Sequence, residues 1–242
     1  MDFKIIEPQI FPKEDIIAGV TERNQHLFPS GFSFASNEYF DEETATKHRK
    51  ILAELLGASP KDFAYLMQTH SDIIHLVDDD YQTKEGDALV TSVTGKILVV
   101  KIADCAGILL YDPVRKVVSA VHSGWRGSNK RIVQKTILTM ETYYKSRPDE
   151  ILVWVSPLAS AERYEVGEEV ARLFPKTVQR KENGTYYFDN RKEIENQLLE
   201  VGILKENIEI SAECTISNLK LHSYRRDGKK SGRMACFIGM KK

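Results

Sequence analysis

The chain has 242 residues, of which 42% are apolar and 29% are charged, and its formal net charge is -1. This is the composition of an ordinary globular protein, and the charge balance calls for no nucleic acid or anionic membrane as a partner. The apolar runs are too short to span a bilayer, and the N-terminus lacks the pattern of a secretion signal. Cys105, Cys214 and Cys236 make a poor disulfide framework, so we expect a cytoplasmic protein with reduced thiols.

The first half of the chain alternates between turn residues and apolar segments. Residues 1–40 contain frequent proline and glycine, which indicates short strands and turns. Residues 41–57 predict a helix, because Asp41 can cap it and Gly57 can end it. Six segments of strand length follow, namely residues 63–67, 73–77, 88–91, 97–102, 107–111 and 117–121.

The second half continues the alternation of helices and strands. Gly202 fits the C-cap of the last predicted helix. The pattern indicates an α/β fold, an α+β layered sandwich in which helices flank a mixed sheet, and we expect one domain over residues 1–242. The predicted helices are residues 128–144, 166–173 and 191–201, and the predicted strands are residues 151–155, 208–212 and 234–238.

Three soft metal ligands follow predicted strands. His70, Cys105 and His122 each stand where an apolar segment ends, and strand ends can direct side chains into a shared cleft. A His-Cys-His set leaves the fourth position of zinc open, as catalytic zinc sites do. The spacing matches no short metal-binding signature, and a lone cysteine after a strand, such as Cys105, is more often a small buried residue.

The segment His122-Ser123-Gly124-Trp125-Arg126-Gly127 joins a predicted strand to a predicted helix. Its glycines allow close approach of a ligand, the helix N-terminus attracts anions, and Arg126 adds a fixed positive charge. A tight turn with a packed tryptophan explains the same residues, and both interpretations stay open.

Other polar residues near these segments are candidates for the site. Asp104, next to Cys105, can handle protons or orient a ligand, or it can cap a turn. Arg225 and Arg226 lie in a predicted basic loop or hairpin and can bind phosphate or remain in solvent. His222 beside them is either a surface histidine or an additional metal ligand.

Taken together, several segments resemble the multicopper polyphenol oxidoreductase, or laccase-domain, family, which is also tied to purine nucleoside phosphorylase activity. The resemblance runs from about residue 19 to residue 239. The chain departs from the family pattern at Ser71, where glycine is common, and at His222, where an aromatic residue is usual. The matching segments are Gln68-Thr69-His70, residues 86–91, Ala103-Asp104-Cys105, residues 122–127, residues 164–170, Cys214-Thr215 and residues 223–227.

This resemblance implies one catalytic metal ion, bound by His70, Cys105 and His122, and a substrate-contacting arginine that Arg49 matches. It implies phosphorolysis of adenosine, inosine and S-methyl-5'-thioadenosine to the free base and a ribose 1-phosphate, together with deamination of adenosine. With zinc as cofactor, Arg49, Arg126 and the Arg225/Arg226 pair are the predicted cations for phosphate and substrate.

Two alternatives remain. Two histidines and a cysteine also suit copper, so copper-dependent oxidation of phenols is the second hypothesis. A conventional multidomain multicopper oxidase is excluded, because the six histidines include no His-X-His pair. A non-enzymatic binding module is the third hypothesis. In either enzyme the partners are small molecules (purine nucleosides and phosphate, or phenols), and we expect a monomer or a small homo-oligomer.

Overall fold

The structure is a computed structural model that describes residues 2–242. The helices in this range are α1 (Glu42–Leu55), α2 (Trp125–Asn129), α3 (Ile132–Tyr144), α4 (Glu168–Ala171), α5 (Asn190–Glu200) and α6 (Tyr224–Asp227). The strands are β1 (Ile5–Ile6), β2 (Ile16–Thr21), β3 (Phe63–Tyr65), β4 (Ile74–Leu76), β5 (Ala88–Thr91), β6 (Ile97–Ile102), β7 (Ala106–Asp112), β8 (Val117–Ser123), β9 (Leu152–Val155), β10 (Glu165–Val166), β11 (Val178–Arg180), β12 (Tyr186–Phe188), β13 (Ile208–Ile210) and β14 (Met234–Met240).

Two mixed sheets form the centre of the molecule. The first has the order β1-β2-β14-β6-β3, with β3 parallel to β6 and the other neighbours antiparallel. The second has the order β13-β9-β7-β8-β5-β4, with parallel pairs only at its two edges. The predicted mixed sheet with flanking helices is therefore confirmed, and it is divided into two sheets.

The sheets pack face to face, and helices cover their outer faces. In β6, Leu98 and Val100 join the core shared by both sheets, whereas Ile97 and Val99 pack with α1 on the outside. The second sheet has its outer core with α3 and α5. Because β6 is covered on both faces, it lacks the polar alternation of a half-exposed strand. The layers therefore run helix, sheet, sheet, helix.

The ends of α1 agree closely with the prediction. Asp41 is the N-cap, and its side chain accepts a hydrogen bond of 2.8 Å from the backbone N–H of Thr44. Gly57 follows the helix with φ +65°, a conformation that glycine adopts at little cost. The capping signals in the sequence were sufficient here, because they act locally.

The single helix predicted over residues 128–144 is wrong. A short helix, α2, starts directly after Gly124, and Arg131 with φ +59° separates it from α3. The apolar face that begins at Ile132 belongs to α3, whereas α2 buries Gly127 and Ser128. The hydrophobic pattern therefore revealed only the second helix.

The segment after Pro157 departs further from the prediction. The helix predicted over residues 166–173 is reduced to α4, which has four residues. It accompanies a small sheet of order β10-β12-β11 that was not predicted. Phe174 and Phe188 stack there at 4.3 Å between ring centroids. Strands of two or three residues are too short to show a clear alternation of apolar and polar side chains.

Candidate metal centre

A cavity of about 530 Å³ lies where β6 and β8 end. Lys101 of β6, His122 of β8 and Arg225 of α6 contribute to its wall. Its volume falls in the range of pockets that enclose a small molecule. All three predicted metal ligands line it, and so do Asp104 and Arg225.

The pairing of β7 with β8 brings two of the ligands together. Gly107 pairs with His122, and Ala106 pairs with Ser123. Cys105, which directly precedes β7, therefore lies beside the end of β8. His122 is inside β8 and not past its end, because β8 ends at Ser123, two residues beyond the predicted end at residue 121.

His70 reaches the same point from a loop. The strand β3 ends at Tyr65, earlier than predicted, and His70 has φ +56°, a left-handed conformation uncommon for residues other than glycine. The ligand atoms of His70, Cys105 and His122 all lie within 4.8 Å of one another. Two imidazoles and one thiol at this spacing fit a single zinc or copper ion and leave a coordination position free.

The space beside the cysteine depends on Gly124. A Cβ atom at this position would lie 2.6 Å from the Sγ atom of Cys105 and 3.7 Å from Cδ2 of His70. With φ -88°, Gly124 is not needed for an unusual backbone conformation. This glycine is required because the thiol approaches the backbone closely.

A buried carboxylate, Asp87, stands behind the histidines. One oxygen, Oδ1, accepts a hydrogen bond of 2.8 Å from Nδ1 of His122. The other, Oδ2, accepts two bonds of 2.6 Å from the backbone N–H and the hydroxyl of Ser71. Asp87 was not predicted as a site residue; the available signal was an acidic residue directly before the apolar strand β5.

These contacts shift the pKa values of the centre. Burial alone would raise the pKa of Asp87, but hydrogen bonds from His122 and Ser71 lower it to about 2. Burial likewise acts against ionisation of Cys105 and His122, yet their mutual attraction lowers the pKa of the thiol and raises that of the imidazole. A cysteine whose thiolate is favoured in this way is ready to bind a metal ion.

Three cationic side chains contribute to the cavity wall. Lys101, Arg225 and Arg233 line it. Burial lowers the pKa of Lys101, and the neighbouring charges of Arg233 and Arg49 lower it further. Carbonyl groups of Ser231 and Gly232 hold the Arg233 guanidinium at 2.9 and 3.0 Å. Lys101 and Arg233 were not predicted, although each is a charged residue within or beside an apolar strand.

The other predicted arginines have different positions. Arg126 is exposed, and its guanidinium lies 4.1 Å from the ring centre of Trp125, outside the cavity wall. Arg226 donates to the carbonyl groups of Thr215 and Leu221 and pairs with Asp227, so it stabilises its own loop. Of the predicted Arg225/Arg226 pair, only Arg225 reaches the cavity.

Arg49 lies behind the cavity and not in its wall. Its side chain is 14% exposed and therefore largely withdrawn from solvent. It pairs with Glu42 and donates to Thr46 at 2.7 Å and to the Phe34 carbonyl at 3.2 Å. After burial and the charge of Arg233, the charge of Arg49 contributes to lowering the pKa of Lys101.

His222, the predicted additional ligand, requires a correction. It is buried, and both ring nitrogens bind backbone groups: Nε2 donates to the Phe32 carbonyl at 2.8 Å, and Nδ1 accepts from the Gly232 N–H at 3.1 Å. Neither nitrogen is left for an ion, and His222 is absent from the ligand cluster that residues 2–242 form.

Asp104 lines the cavity, with both carboxylate oxygens engaged. Oδ1 accepts from the Thr215 hydroxyl and Oδ2 from the Arg225 N–H, each at 2.7 Å. These bonds attach the start of α6 to the residue before Cys105. The structure thus adds an anchoring contact to the proton-handling role predicted for Asp104.

A buried polar network fixes the turn after His122. The hydroxyl of Ser128 donates to Oδ1 of Asn190 at 2.6 Å and lies 3.0 Å from that of Ser123. The side-chain N–H of Asn190 donates to the Ser123 carbonyl at 3.1 Å. Gln197 donates to the Ser128 carbonyl at 2.8 Å. The turn after His122 is therefore attached to α5.

Fold and site define a layered α/β protein in which a His-Cys-His cluster, spaced to hold one metal ion, shares a cavity with basic side chains. The sequence profile of the multi-copper polyphenol oxidoreductase laccase family matches residues 19–241. The chain belongs to this family, as the sequence motifs predicted.

Curated relatives carry a different name, purine nucleoside phosphorylase. The protein of that name from Clostridium acetobutylicum is 39% identical over 189 residues, which cover 74% of this chain and 77% of the relative. The one from Corynebacterium glutamicum is 34% identical and covers 88% of both chains. The chain is thus related over most of its length to proteins named as phosphorylases.

Solved structures show the same fold. The hypothetical protein YfiH of Bacillus licheniformis matches with a TM-score of 0.86 and 28% identity over 93% of both chains. The Neisseria meningitidis protein NMB0706 matches with a TM-score of 0.85 and 25% identity over the whole of both chains. Among the described residues 2–242, none of the helices has the length and apolar character needed to cross a bilayer.

Proposed function

We propose that the protein is a metal-dependent purine nucleoside phosphorylase. One observation carries the proposal: the His70-Cys105-His122 cluster and the cations Lys101, Arg225 and Arg233 face the same cavity of about 530 Å³. Phosphorolysis needs an anion site next to a group that stabilises the charge developing on the substrate. The relatives named purine nucleoside phosphorylase support the same activity.

The basic side of the cavity is suited to phosphate. Guanidinium groups bind phosphate oxygens through paired hydrogen bonds, and Arg233 is already oriented by its two carbonyl contacts. Lys101 is largely buried beside it, so a phosphate dianion would favour its charged form. In this proposal Lys101 and Arg233 bind phosphate, and Arg225 closes the site from α6.

The same cavity is suited to the metal and the nucleoside. When bound, zinc with three protein ligands supplies a Lewis acid with one open position. Tyr164, which lines the cavity, offers an aromatic face near the Arg225 guanidinium, 5.7 Å away. We propose adenosine, inosine and S-methyl-5'-thioadenosine as substrates and adenosine deamination as a second activity. We assign Arg49 an indirect role, through its effect on Lys101.

Oxidation of phenols with copper is the second candidate. The family description and the two-histidine, one-cysteine ligand set favour it. It gives no role to the cations of the cavity, because neutral phenols need no anion site. We therefore place it second.

Assays of protein loaded with either metal test the choice. Zinc-loaded protein should release hypoxanthine from inosine only when phosphate is present, and Arg233→Ala should raise the KM for phosphate roughly 10-fold or more, since a hydrogen bond to a charged group contributes about 1.5–3 kcal/mol. If zinc-loaded protein releases no base while copper-loaded protein oxidises phenols, the phosphorylase proposal is wrong.

A further inference from the structure

The Asp87 carboxylate contacts both segments that carry the predicted histidine ligands, residues 69–71 and His122. It is fully buried, directly before β5, in the sheet that also carries His122. Besides the bonds from His122 and Ser71, it accepts backbone bonds from Thr69 at 3.3 Å and His70 at 3.2 Å. One carboxylate thus contacts the side chain of one predicted ligand and the backbone of another.

The bond to His122 decides which nitrogen faces the metal. Nδ1 bonds to the carboxylate, so Nε2 is the nitrogen that faces Cys105 and His70 and would bind the metal. A carboxylate on the far nitrogen fixes the tautomer and the ring orientation and makes the imidazole a stronger ligand.

The bonds to residues 69–71 restrain the other histidine. His70 has a left-handed backbone, which costs free energy for a residue other than glycine. Three successive N–H groups, of Thr69, His70 and Ser71, point to the Asp87 carboxylate around this turn. The hydroxyl of Ser71 adds a fourth bond that glycine could not provide.

We propose that Asp87 is the positioning residue of the metal centre: it orients His122 through its ring, holds His70 through its backbone, and is itself held by Ser71. The inference rests on the proposed metal site, and it adds a residue that touches neither metal nor substrate. Asp87 would set the metal affinity by keeping the ligands assembled before the ion binds.

The test compares two buried carboxylates. Asp87→Asn keeps the size of the side chain and removes the charge. Asp112→Asn makes the same change at the end of β7 that is far from Cys105, where the buried Asp112 accepts backbone bonds from Val114 and Arg115. Zinc affinity is measured by competition with a chromophoric chelator, and the absorption of cobalt-loaded protein reports the cysteine-cobalt bond. Thermal unfolding of the metal-free proteins measures stability separately.

We expect Asp87→Asn to weaken zinc binding roughly 10- to 100-fold and to shift the cobalt spectrum. Asp112→Asn should leave both unchanged, even if it destabilises the fold. Wild-type affinity and an unchanged spectrum in Asp87→Asn would overturn the proposal, as would equal losses in the two variants.

A measurement on the wild-type protein covers the case in which Asp87→Asn does not fold. Nitrogen NMR of histidine-labelled, zinc-loaded protein should show His122 with its proton on Nδ1 and zinc on Nε2. The reverse assignment overturns the role of Asp87. If the wild-type protein binds neither zinc nor cobalt, the proposed metal site and the proposed role of Asp87 are both wrong. If it binds metal but releases no base from the nucleoside, only the phosphorylase proposal is wrong.

Discussion

Two buried histidines, each followed by a serine, occupy different environments in this molecule. His122 is 4% exposed and His222 is 1% exposed, and each belongs to a motif rich in arginine and glycine. His122 bonds to a carboxylate and faces a thiol and a second imidazole. His222 bonds only to a backbone carbonyl and a backbone N–H.

The difference appears in their pKa values. Burial acts against the charged form of both rings, but the Cys105 thiolate and Asp87 raise the pKa of His122. Burial, together with the charges of Arg23 and Arg233, lowers the pKa of His222 to about 3, and the Phe32 carbonyl and Asp227 oppose this only weakly. The chemistry of the partners, and not burial or the neighbouring motif, separates the candidate metal ligand from a structural histidine.

Replacing each histidine by alanine should separate the two roles most clearly. His122→Ala should lose stoichiometric zinc and phosphorolysis. His222→Ala should keep zinc but lower the free energy of unfolding by about 1–3 kcal/mol, because the Phe32 carbonyl and the Gly232 N–H lose their partner. Metal analysis and denaturant unfolding of the metal-free proteins measure the two effects. Loss of zinc from a stable His222→Ala protein would refute the distinction.

Acid should destabilise the fold through His222. The ring binds a proton near pH 6.5 in the unfolded chain and near pH 3 in the folded one. Between these values the unfolded chain binds more protons, so stability falls as pH falls, by up to about 5 kcal/mol. Denaturant unfolding at several pH values should show a smaller acid loss in His222→Gln than in the wild type. The exposed His26→Gln should follow the wild type, and parallel curves for all three would contradict the assignment.

Two glycines offer a matched pair of smaller changes. A Cβ at Gly124 would meet Cys105 at 2.6 Å, and one at Gly232 would meet Nε2 of His222 at 2.6 Å. Gly124→Ala should weaken zinc binding by about 10-fold, as expected for a displaced ligand. Gly232→Ala should leave zinc binding intact and reduce stability by about 1–3 kcal/mol. Chelator competition measures zinc binding and thermal unfolding measures stability. Weaker zinc binding in Gly232→Ala but not in Gly124→Ala would contradict the roles assigned to the two histidine environments.

The arginines of the two motifs should give the smallest effects. Arg225, from the His222 motif, faces the cavity, whereas Arg126, from the His122 motif, is exposed outside it. Arg225→Ala should raise the KM for phosphate several-fold, since an exposed charge contributes at most about 1 kcal/mol. Arg126→Ala should stay within about 2-fold of the wild type. Steady-state kinetics with varied phosphate tests both; a larger effect at Arg126 would restore the anion-binding turn suggested by the sequence.

Much of the fold could be predicted because its signals are local. The Asp41 cap and Gly57 mark α1, and the apolar runs of β5 and β6 match the observed strands residue for residue. The break at Arg131 and the small sheet around Phe188 depend on tertiary packing, which one sequence does not display.

The candidate site could be predicted only in part, for the same reason. His70, Cys105 and His122 stood out as soft ligands near strand ends, and the structure brings them together. Asp87 and Lys101 were not predicted, because a charged residue in or beside a strand is usually exposed to solvent. Their burial follows from the packing of the two sheets, which the sequence alone does not show. Of the arginines predicted to bind phosphate, Arg225 lines the cavity, whereas Arg126, where a helix begins, lies outside its wall.

The bond from Asn190 to the Ser123 carbonyl has a consequence for heat inactivation. Asn190 is the first residue of α5, and its side chain connects that helix to the turn after His122, as Gln197 of the same helix does through Ser128. Opening of α5 would therefore release the turn while both sheets are still intact. In zinc-loaded protein, amide hydrogen exchange in α5 should quicken at the temperature at which zinc begins to be released, below the melting point of the sheets.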